Sequence, residues 1–224
     1  MRLNAVIPDP WNRPRAWLLG RVIDRSLRRD VAGVHVRGTV DIPSDRVVAL
    51  VANHSGRYDG FVLWSQRFTS RSTGRHMTVM LQRQMDKYRI FNGAGAVGLV
   101  PGSMASVRDM VRTVHTWSTP GDTLALFPQG RIYPGDKMPL AFQSLVRVLG
   151  HINAPVDVIP TALATEMLDG RKPSIFVSFG EAVSLDCLDP KGSDTEDLVA
   201  GQVRALRGLL NTLGEDAPTE YEHA

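Results

Sequence analysis

Short apolar runs that alternate with helix-like segments constrain the fold of this chain more than any other feature. The runs at 34–37, 47–52, 123–127, 156–162 and 174–179, with a further candidate at 78–81, have the length and composition of buried strands. Helical patterns at 58–68, 106–117 and about 140–149 lie between them. Strands alternating with helices predict an α/β fold: a single-domain, layered structure with a mixed, partly parallel sheet flanked by helices.

The two ends of the chain lie outside this alternation. Residues 1–31 are predicted to form a basic amphipathic helix, residues 32–214 the α/β domain, and residues 215–224 a polar, disordered tail. The last helix of the domain is expected to begin at the capping box Ser193-x-x-Glu196. Its buried residues are expected to be Val199, Val203, Leu206, Leu210 and Leu213. A chain of 224 residues is long enough to bury one sizeable core.

A histidine and a carboxylate follow the apolar run at 47–52. The chain continues there as Asn53-His54-Ser55-Gly56-Arg57-Tyr58-Asp59. A strand would bring His54 to the edge of the sheet, and a turn followed by a helix would carry Asp59 back toward the imidazole. A neutral histidine oriented in this way can act as a general base near neutral pH. Alternatively, His54 is a structural residue of the turn, and Asp59 is a favourable charge in the first helical turn.

A second apolar run also leads into a loop, and it ends in Phe127-Pro128-Gln129-Gly130-Arg131. Together the two segments resemble the glycerolipid, or lysophospholipid, acyltransferase family (1-acylglycerol-3-phosphate acyltransferase-like), whose members carry His-x4-Asp and a later Phe-Pro-Glu-Gly-Thr-Arg. Residues 95–101 and 158–162 are similar to two further blocks of that family. The resemblance therefore extends over residues 45–182.

This resemblance implies a glycerolipid acyltransferase-like fold and a thioester-dependent O-acyltransferase. Such an enzyme moves a fatty acyl group from acyl-CoA or acyl carrier protein, which are substrates rather than cofactors, to a hydroxyl of a lipid acceptor. His54 would be the general base and Asp59 the group that orients it. The predicted substrate-binding residues are Asn53, Arg57, Phe127, Pro128, Gln129, Gly130 and Arg131. The loops at Gly56 and Gly130 can offer backbone N–H groups to an oxyanion.

Three positions depart from the family pattern. Gln129 stands where the family has glutamate, and Pro101 and Ile132 stand where it has arginines that are associated with the phosphate of the acceptor. Other basic residues that could take over this role are Arg131, Arg57 and Lys137. The acceptor therefore stays open between a lysophospholipid-like molecule and a neutral or glycosylated lipid, whose hydroxyls Gln129 could bind. Alternatively, Gln129 only braces its own loop.

Two other functions remain open from the sequence. One is a catalytically weak, acyltransferase-like lipid-binding protein, and the other is a thioester or ester hydrolase that uses water at His54. The remaining histidines are scattered and have no paired ligand spacing, so no metal site is expected. The net charge of +3 comes without a motif that combines aromatic and basic residues, so nucleic acid is not an expected partner.

The N-terminal helix combines an apolar stripe with arginines. Leu19, Val22, Ile23 and Leu27 share one face, Arg21, Arg25 and Arg28 share another, and Trp11 and Trp17 lie near the start. A helix of this kind can lie in the interface of an anionic membrane. Alternatively, it packs its stripe on the domain as an ordinary surface helix.

Composition also bears on the compartment. The single cysteine, Cys187, excludes an internal disulfide framework and a Cys-rich zinc site, which fits a reducing compartment. The sequence has no run of eighteen apolar residues, and its first ten residues lack the apolar centre of a signal peptide. We therefore expect a cytoplasmic protein, bound peripherally to the inner face of the membrane through its N-terminal helix.

Overall fold

The computed structural model describes residues 8–65, 74–133, 145–168, 170–189, 191 and 193–212, and the backbone of Glu222–His223. The helices are α1 (Arg13–Asp30), α2 (Asp59–Ser65), α3 (Gln82–Lys87), α4 (Met104–Trp117), α5 (Leu145–Leu149) and α6 (Ser193–Asn211). The strands are β1 (Gly33–Arg37), β2 (Val47–Ala52), β3 (His76–Leu81), β4 (Ala96–Leu99), β5 (Thr123–Leu126), β6 (Val156–Glu166), β7 (Ser174–Phe179), β8 (Val183–Ser184) and β9 (Glu222–His223). Short 3-10 helices occupy Arg89–Phe91 and Leu185–Cys187.

All of these strands belong to one mixed sheet. Its order is β4-β3-β5-β2-β6-β7-β1-β9, and β8 pairs with β6. The strands from β4 to β6 in this order are parallel. β7 runs antiparallel to β6, and β1 runs parallel to β7. The predicted α/β fold with a mixed, partly parallel sheet is confirmed.

Strand β2 is buried on both faces, which explains its continuous apolar run. Val47, Ala49 and Val51 belong to the core cluster beneath α4, α5 and α6. Val48, Leu50 and Ala52 belong to the cluster beneath α1 and α2. Strand β2 lies in the middle of the sheet, with helices on both faces. The residues that follow its carboxyl end therefore lie between the two helical layers.

Helix α1 packs on the domain through most of its predicted stripe. Leu19, Ile23 and Leu27 are buried against α2 and the sheet, as the packing alternative predicts. Val22, the fourth residue of the stripe, is exposed. Trp17 and Leu18 are also exposed, so the outer surface of α1 keeps large apolar side chains beside its arginines.

Strand β6 is four residues longer than the apolar run predicts. It continues past Ala162 to Glu166 because β7 pairs with it antiparallel over this stretch, with Thr165 opposite Ile175. The sequence shows a loss of apolar character here, but pairing with the next strand extends the ladder. This extension brings Thr165 to the same edge of the sheet as the end of β2.

The remaining differences concern the chain after β7 and a polar helix. Helix α6 begins at Ser193, as predicted, but Ser193 is its first helical residue, and its hydroxyl donates to the carboxylate of Asp189 at 2.9 Å. The backbone of Glu222–His223 pairs with β1, in contrast to the expected disorder of 215–224. Helix α3 was not predicted because its sequence, QRQMDK, has no buried residue.

The predicted buried face of the last helix is confirmed for the residues that the structure describes. Helix α6 buries Val199, Val203 and Leu206, and Leu210 is half-buried. Leu213 and the expected helical residues 66–68 and 140–144 lie outside the described residues. Within the described ranges, no helix combines the length and the apolar character that are needed to span a bilayer.

Candidate active site

His54 and Asp59 meet at the carboxyl end of β2. The turn from β2 into α2 brings the Nδ1 atom of His54 to 2.9 Å from the Oδ2 atom of Asp59. The side chain of His54 is 22% exposed, whereas that of Asp59 is fully buried. The pairing predicted from the spacing is therefore present: Nδ1 is bound to a carboxylate, and Nε2 has no hydrogen-bond partner among the described residues.

The Asp59 carboxylate is held by the turn that it follows. Its Oδ2 atom also accepts hydrogen bonds from the backbone N–H groups of Ser55, at 2.6 Å, and Gly56, at 2.8 Å. These donors fix the carboxylate toward the imidazole. Since both N–H groups are engaged by Asp59, neither is free for an oxyanion. The N–H of Gly130 is engaged too, because it donates to the carbonyl of Phe127 at 3.0 Å.

The second motif, together with Tyr133 just after it, contacts His54 through three separate groups. The backbone N–H of His54 donates to the Oε1 atom of Gln129 at 2.5 Å. The backbone carbonyl of His54 accepts a hydrogen bond from the backbone N–H of Tyr133 at 2.9 Å. The ring of Phe127 stacks on the imidazole, with 4.5 Å between centroids. Because β5 lies directly beside β2, the two motifs form one site.

The contact of Gln129 supports the bracing alternative for its oxygen. Gly130 follows it with a φ of +67°, a conformation that favours glycine, and this turn directs the loop back toward His54. The Gln129 side chain is half-buried, and its amide nitrogen has no partner within the part of the chain that the structure describes. Pro128, which precedes Gln129, is also half-buried.

Asn53 forms two hydrogen bonds to the backbone of Leu163. Its side-chain nitrogen donates to the carbonyl of Leu163 at 2.9 Å, and its side-chain oxygen accepts from the N–H of Leu163 at 2.7 Å. The residue is 3% exposed. Asn53 therefore ties the end of β2 to β6, and that it also binds substrate stays a prediction.

Arg57 is exposed and is held by the end of α1. Its guanidinium lies over the ring of Tyr58, 4.5 Å from the centroid, and forms an ion pair with Asp30 at 3.5 Å. The Tyr58 hydroxyl donates to Asp30 at 2.9 Å. Hydrogen bonds from Arg29 and then Tyr58 lower the pKa of Asp30 to about 2, so this carboxylate stays charged.

Arg131 differs from Arg57 because no carboxylate among the described residues pairs with it. Its guanidinium lies 4.7 Å from the centroid of the Tyr133 ring, and its Nε atom donates to the Tyr133 hydroxyl. The backbone of Tyr133 is bonded to His54, so this tether keeps Arg131 beside the site. An exposed, unpaired guanidinium can bind an anion.

The positions that depart from the family pattern do not assemble a second basic cluster among the described residues. Ile132 is exposed next to Arg131. Pro101 follows β4, which is separated from β2 by two strands of the sheet. Lys137, the remaining basic alternative, lies outside the described residues.

A cavity of about 750 Å³ lies at the opposite edge of the sheet. Val48 and Asp157 line it near the amino ends of β2 and β6. Gly38 and Gly180 line it just after the carboxyl ends of β1 and β7. His54, by contrast, follows the carboxyl end of β2. The chemistry of His54 is therefore separate from this cavity.

His76 is a buried histidine outside the site. Its Nδ1 atom lies 2.7 Å from the hydroxyl of Thr123, and its Nε2 atom lies 2.9 Å from the hydroxyl of Thr78. Burial lowers its pKa to about 3, which keeps the ring neutral. Across the described segments, no group of three or more His, Cys, Asp or Glu side chains could hold a metal ion. The absence of a metal site stays a prediction.

Comparisons with known proteins support the fold. The chain is similar to the crystal structure of the 1-acyl-sn-glycerophosphate (LPA) acyltransferase PlsC from Thermotoga maritima, with a TM-score of 0.65 and 17% identity. The similarity covers 90% of this chain and 81% of that chain. No protein-family model matches the chain, and no curated protein matches it. At this identity the likeness establishes the fold, and function has to be argued from the site.

Proposed function

We propose that this protein is a thioester-dependent O-acyltransferase. It transfers a fatty acyl group from acyl-CoA or acyl carrier protein to a hydroxyl of a lipid acceptor, and it needs no cofactor. The observation that carries this proposal is the contact between His54 Nδ1 and the buried Asp59 carboxylate, 2.9 Å long, at the carboxyl edge of the sheet. The fold shared with a solved LPA acyltransferase supports the same reaction class.

In this reaction His54 is the general base. Its Nε2 atom removes the proton from the acceptor hydroxyl as the oxygen attacks the thioester carbonyl, and Asp59 stabilises the imidazolium that forms. The tetrahedral intermediate then collapses with cleavage of the carbon–sulfur bond, and the imidazolium returns the proton to the departing thiolate. The products are an ester and a free thiol. The substrate supplies the nucleophile, so no acyl-enzyme forms.

The acceptor is a lysophospholipid-like molecule or a neutral or glycosylated lipid, and we favour the neutral class. Gln129 is uncharged, and its amide nitrogen has no partner among the described residues, so it can donate to a hydroxyl. Pro101 and Ile132 offer no charge to a phosphate. Arg131 is then left for the phosphates or the pantetheine arm of the donor, and Arg57 stays with Asp30.

We further propose that α1 contacts the inner, cytoplasmic face of the membrane. Its buried stripe is already used by the domain, so the contact belongs to the outer surface, where Trp17, Leu18 and Val22 are exposed. The exposed arginines of α1 are Arg13, Arg15, Arg21, Arg25, Arg28 and Arg29. Trp and basic residues on one surface suit the interface of an anionic bilayer.

The test is a thiol-release assay with acyl-CoA and with acyl carrier protein. Each donor is offered with lysophosphatidate, lysophospholipids, and neutral or glycosylated hydroxyl lipids, and the products are identified by mass spectrometry. Thiol release that depends on an acceptor, with formation of an acylated lipid, is the expected result. Thiol release that yields only free fatty acid would assign a hydrolase. Lipid binding without thiol release from either donor would assign a binding protein.

A further inference from the structure

Two buried oxygen atoms beside the His54 and Asp59 pair have no partner. The Oδ1 atom of Asp59 and the Oγ1 atom of Thr165 are both shielded from solvent, and neither has a hydrogen-bond partner among the described residues. All the donors to Asp59 described above go to the other oxygen, Oδ2. A buried carboxylate oxygen without a donor is unfavourable, and so is a buried hydroxyl without an acceptor.

The two oxygens converge on Gly56. A Cβ atom placed on this glycine would lie 2.8 Å from Oγ1 of Thr165 and 3.5 Å from Oδ1 of Asp59. The missing side chain of Gly56 therefore leaves both oxygens next to the same small space. One of them is an acceptor and the other carries a donor, so their chemistry is complementary.

Strand β6 holds Thr165 firmly in this place. Thr165 pairs with Ile175 of β7, in the part of β6 that extends past the apolar run. Two residues earlier, both the backbone N–H and the carbonyl of Leu163 form hydrogen bonds to the side chain of Asn53. Asn53 directly precedes His54. The register between β6 and the turn that carries His54 is thus set by two hydrogen bonds, and Thr165 lies one strand repeat beyond them.

We infer that Thr165 is a positioning residue for the His54 and Asp59 pair. Its hydroxyl supplies the hydrogen bond that Oδ1 of Asp59 lacks, either directly, after rotation about its Cα–Cβ bond, or through one water molecule beside Gly56. The carboxylate is then held at both oxygens, and its plane is fixed relative to the imidazole. The inference rests on the proposed function for its catalytic consequence, but not for its structural part.

The test compares Thr165→Val with Thr165→Ser. Valine keeps the shape and the β-branching of threonine but lacks the hydroxyl, whereas serine keeps the hydroxyl but lacks the methyl group. If Thr165 acts by packing alone, valine is tolerated and serine is harmful. If it acts through its hydroxyl, the order is reversed. Circular dichroism and thermal unfolding are used to check that both variants are folded.

The first readout needs no substrate. Diethyl pyrocarbonate modifies neutral histidine, and mass spectrometry follows the modification of His54 as a function of pH. Without a hydrogen bond from Thr165, the Asp59 carboxylate attracts the imidazolium more strongly. The midpoint of this profile should therefore shift to higher pH in Thr165→Val. In Thr165→Ser, which keeps the hydroxyl, it should return to the native value. A midpoint that is the same in both variants and in the native protein would overturn the inference.

The second readout is acyl transfer. Thr165→Val should lower kcat about tenfold with KM unchanged, because Thr165 does not touch the substrate, and Thr165→Ser should retain most of the activity. A serine variant impaired as much as the valine variant, or more, would also overturn the inference. A shifted modification profile in a protein that transfers no acyl group would support the role of Thr165 and refute the proposed function.

Discussion

The side-chain oxygen of Gln129 accepts a hydrogen bond from the backbone N–H of His54 at 2.5 Å. The residue that differs in charge from the glutamate of the resembled family therefore touches the main chain of the proposed base. Through this contact Gln129 influences how His54 is held, whichever acceptor it meets. A change at Gln129 should consequently alter the reaction itself and not only the choice of substrate.

We expect Gln129→Glu to keep this hydrogen bond and to place a negative charge near the imidazole. An imidazolium near a carboxylate is stabilised, so the acidic limb of the dependence of kcat/KM on pH should move to higher pH. Gln129→Ala is the matched control, because it loses the bond without adding charge and should lower kcat/KM without that movement. An acidic limb that stays in place in Gln129→Glu would contradict this role.

Replacing His54 by alanine should abolish acyl transfer while the protein stays folded. A general base contributes about 10² to 10⁴ in rate, and the partly exposed imidazole contributes little to the core. Acyl transfer is measured by thiol release, and folding by thermal unfolding. Unaltered turnover in the folded variant would remove the proposed mechanism.

Asp59→Asn should also lose most of the activity, for a different reason. An asparagine must turn its oxygen toward the N–H groups of Ser55 and Gly56, so it no longer offers His54 Nδ1 a charged acceptor. The asparagine oxygen can still accept from Nδ1–H, but without a negative charge it stabilises the imidazolium much less. We expect the loss in kcat, with a small change in KM, and an unchanged kcat would show that Asp59 only stabilises the turn.

A neutral or glycosylated hydroxyl lipid should be acylated faster than lysophosphatidate. A phosphate would be incompletely matched in charge at this site, whereas a sugar hydroxyl needs only neutral hydrogen bonds of about 0.5–1.5 kcal/mol each. Competition between the two acceptors at equal concentration measures the preference. Preference for lysophosphatidate that is lost in Arg131→Ala would show instead that Arg131 binds the acceptor phosphate.

The triple change of Arg21, Arg25 and Arg28 to Gln should weaken binding to anionic vesicles. Each basic residue near an anionic surface contributes about 1 kcal/mol, and this contribution is largest at low salt. Vesicle sedimentation is the measurement. The matched control removes the same charge from exposed arginines of other helices: Arg108, Arg112 and Arg204. Equal binding by the two triple variants would show that α1 is only structural.

His76 should make the protein less stable as the pH falls below neutral. Its pKa in the folded protein, about 3, is below the value of about 6.5 expected in an unfolded chain. Protonation therefore favours unfolding, and stability is lost progressively from about pH 6.5 down to pH 3, by at most about 1.4 kcal/mol per pH unit. Urea unfolding at pH 7 and pH 5 should show a smaller difference in His76→Gln than in the native protein.

The sequence predicts the fold best where one effect dominates. Strands β2 and β7 have the predicted bounds because burial on both faces makes them continuously apolar. The contact between His54 and Asp59 was also predictable, since it depends only on a local turn. The end of β6 was not predictable, because pairing with β7 and not apolar character extends it to Glu166.

The roles of Asn53 and Gln129 were less accessible to sequence reasoning. The side chain of Asn53 meets the backbone of Leu163, and that of Gln129 meets the backbone of His54, at separations of 110 and 75 residues. Backbone N–H and carbonyl groups are the same for every residue, so the sequence carries no sign of which one a side chain will reach. Polar residues next to a motif can thus hold the main chain, even where they look like ligands for a substrate.

The bonds between Asn53 and Leu163 also affect how the site comes into being during synthesis. A ribosome makes His54 and Asp59 early, but β6, which fixes the residue before His54, emerges roughly a hundred residues later, and domains generally fold as units. Until then Asn53, the residue before His54, lacks the two hydrogen bonds that tie it to β6. We therefore expect the end of β2 to reach its final position only when β6 has joined the sheet.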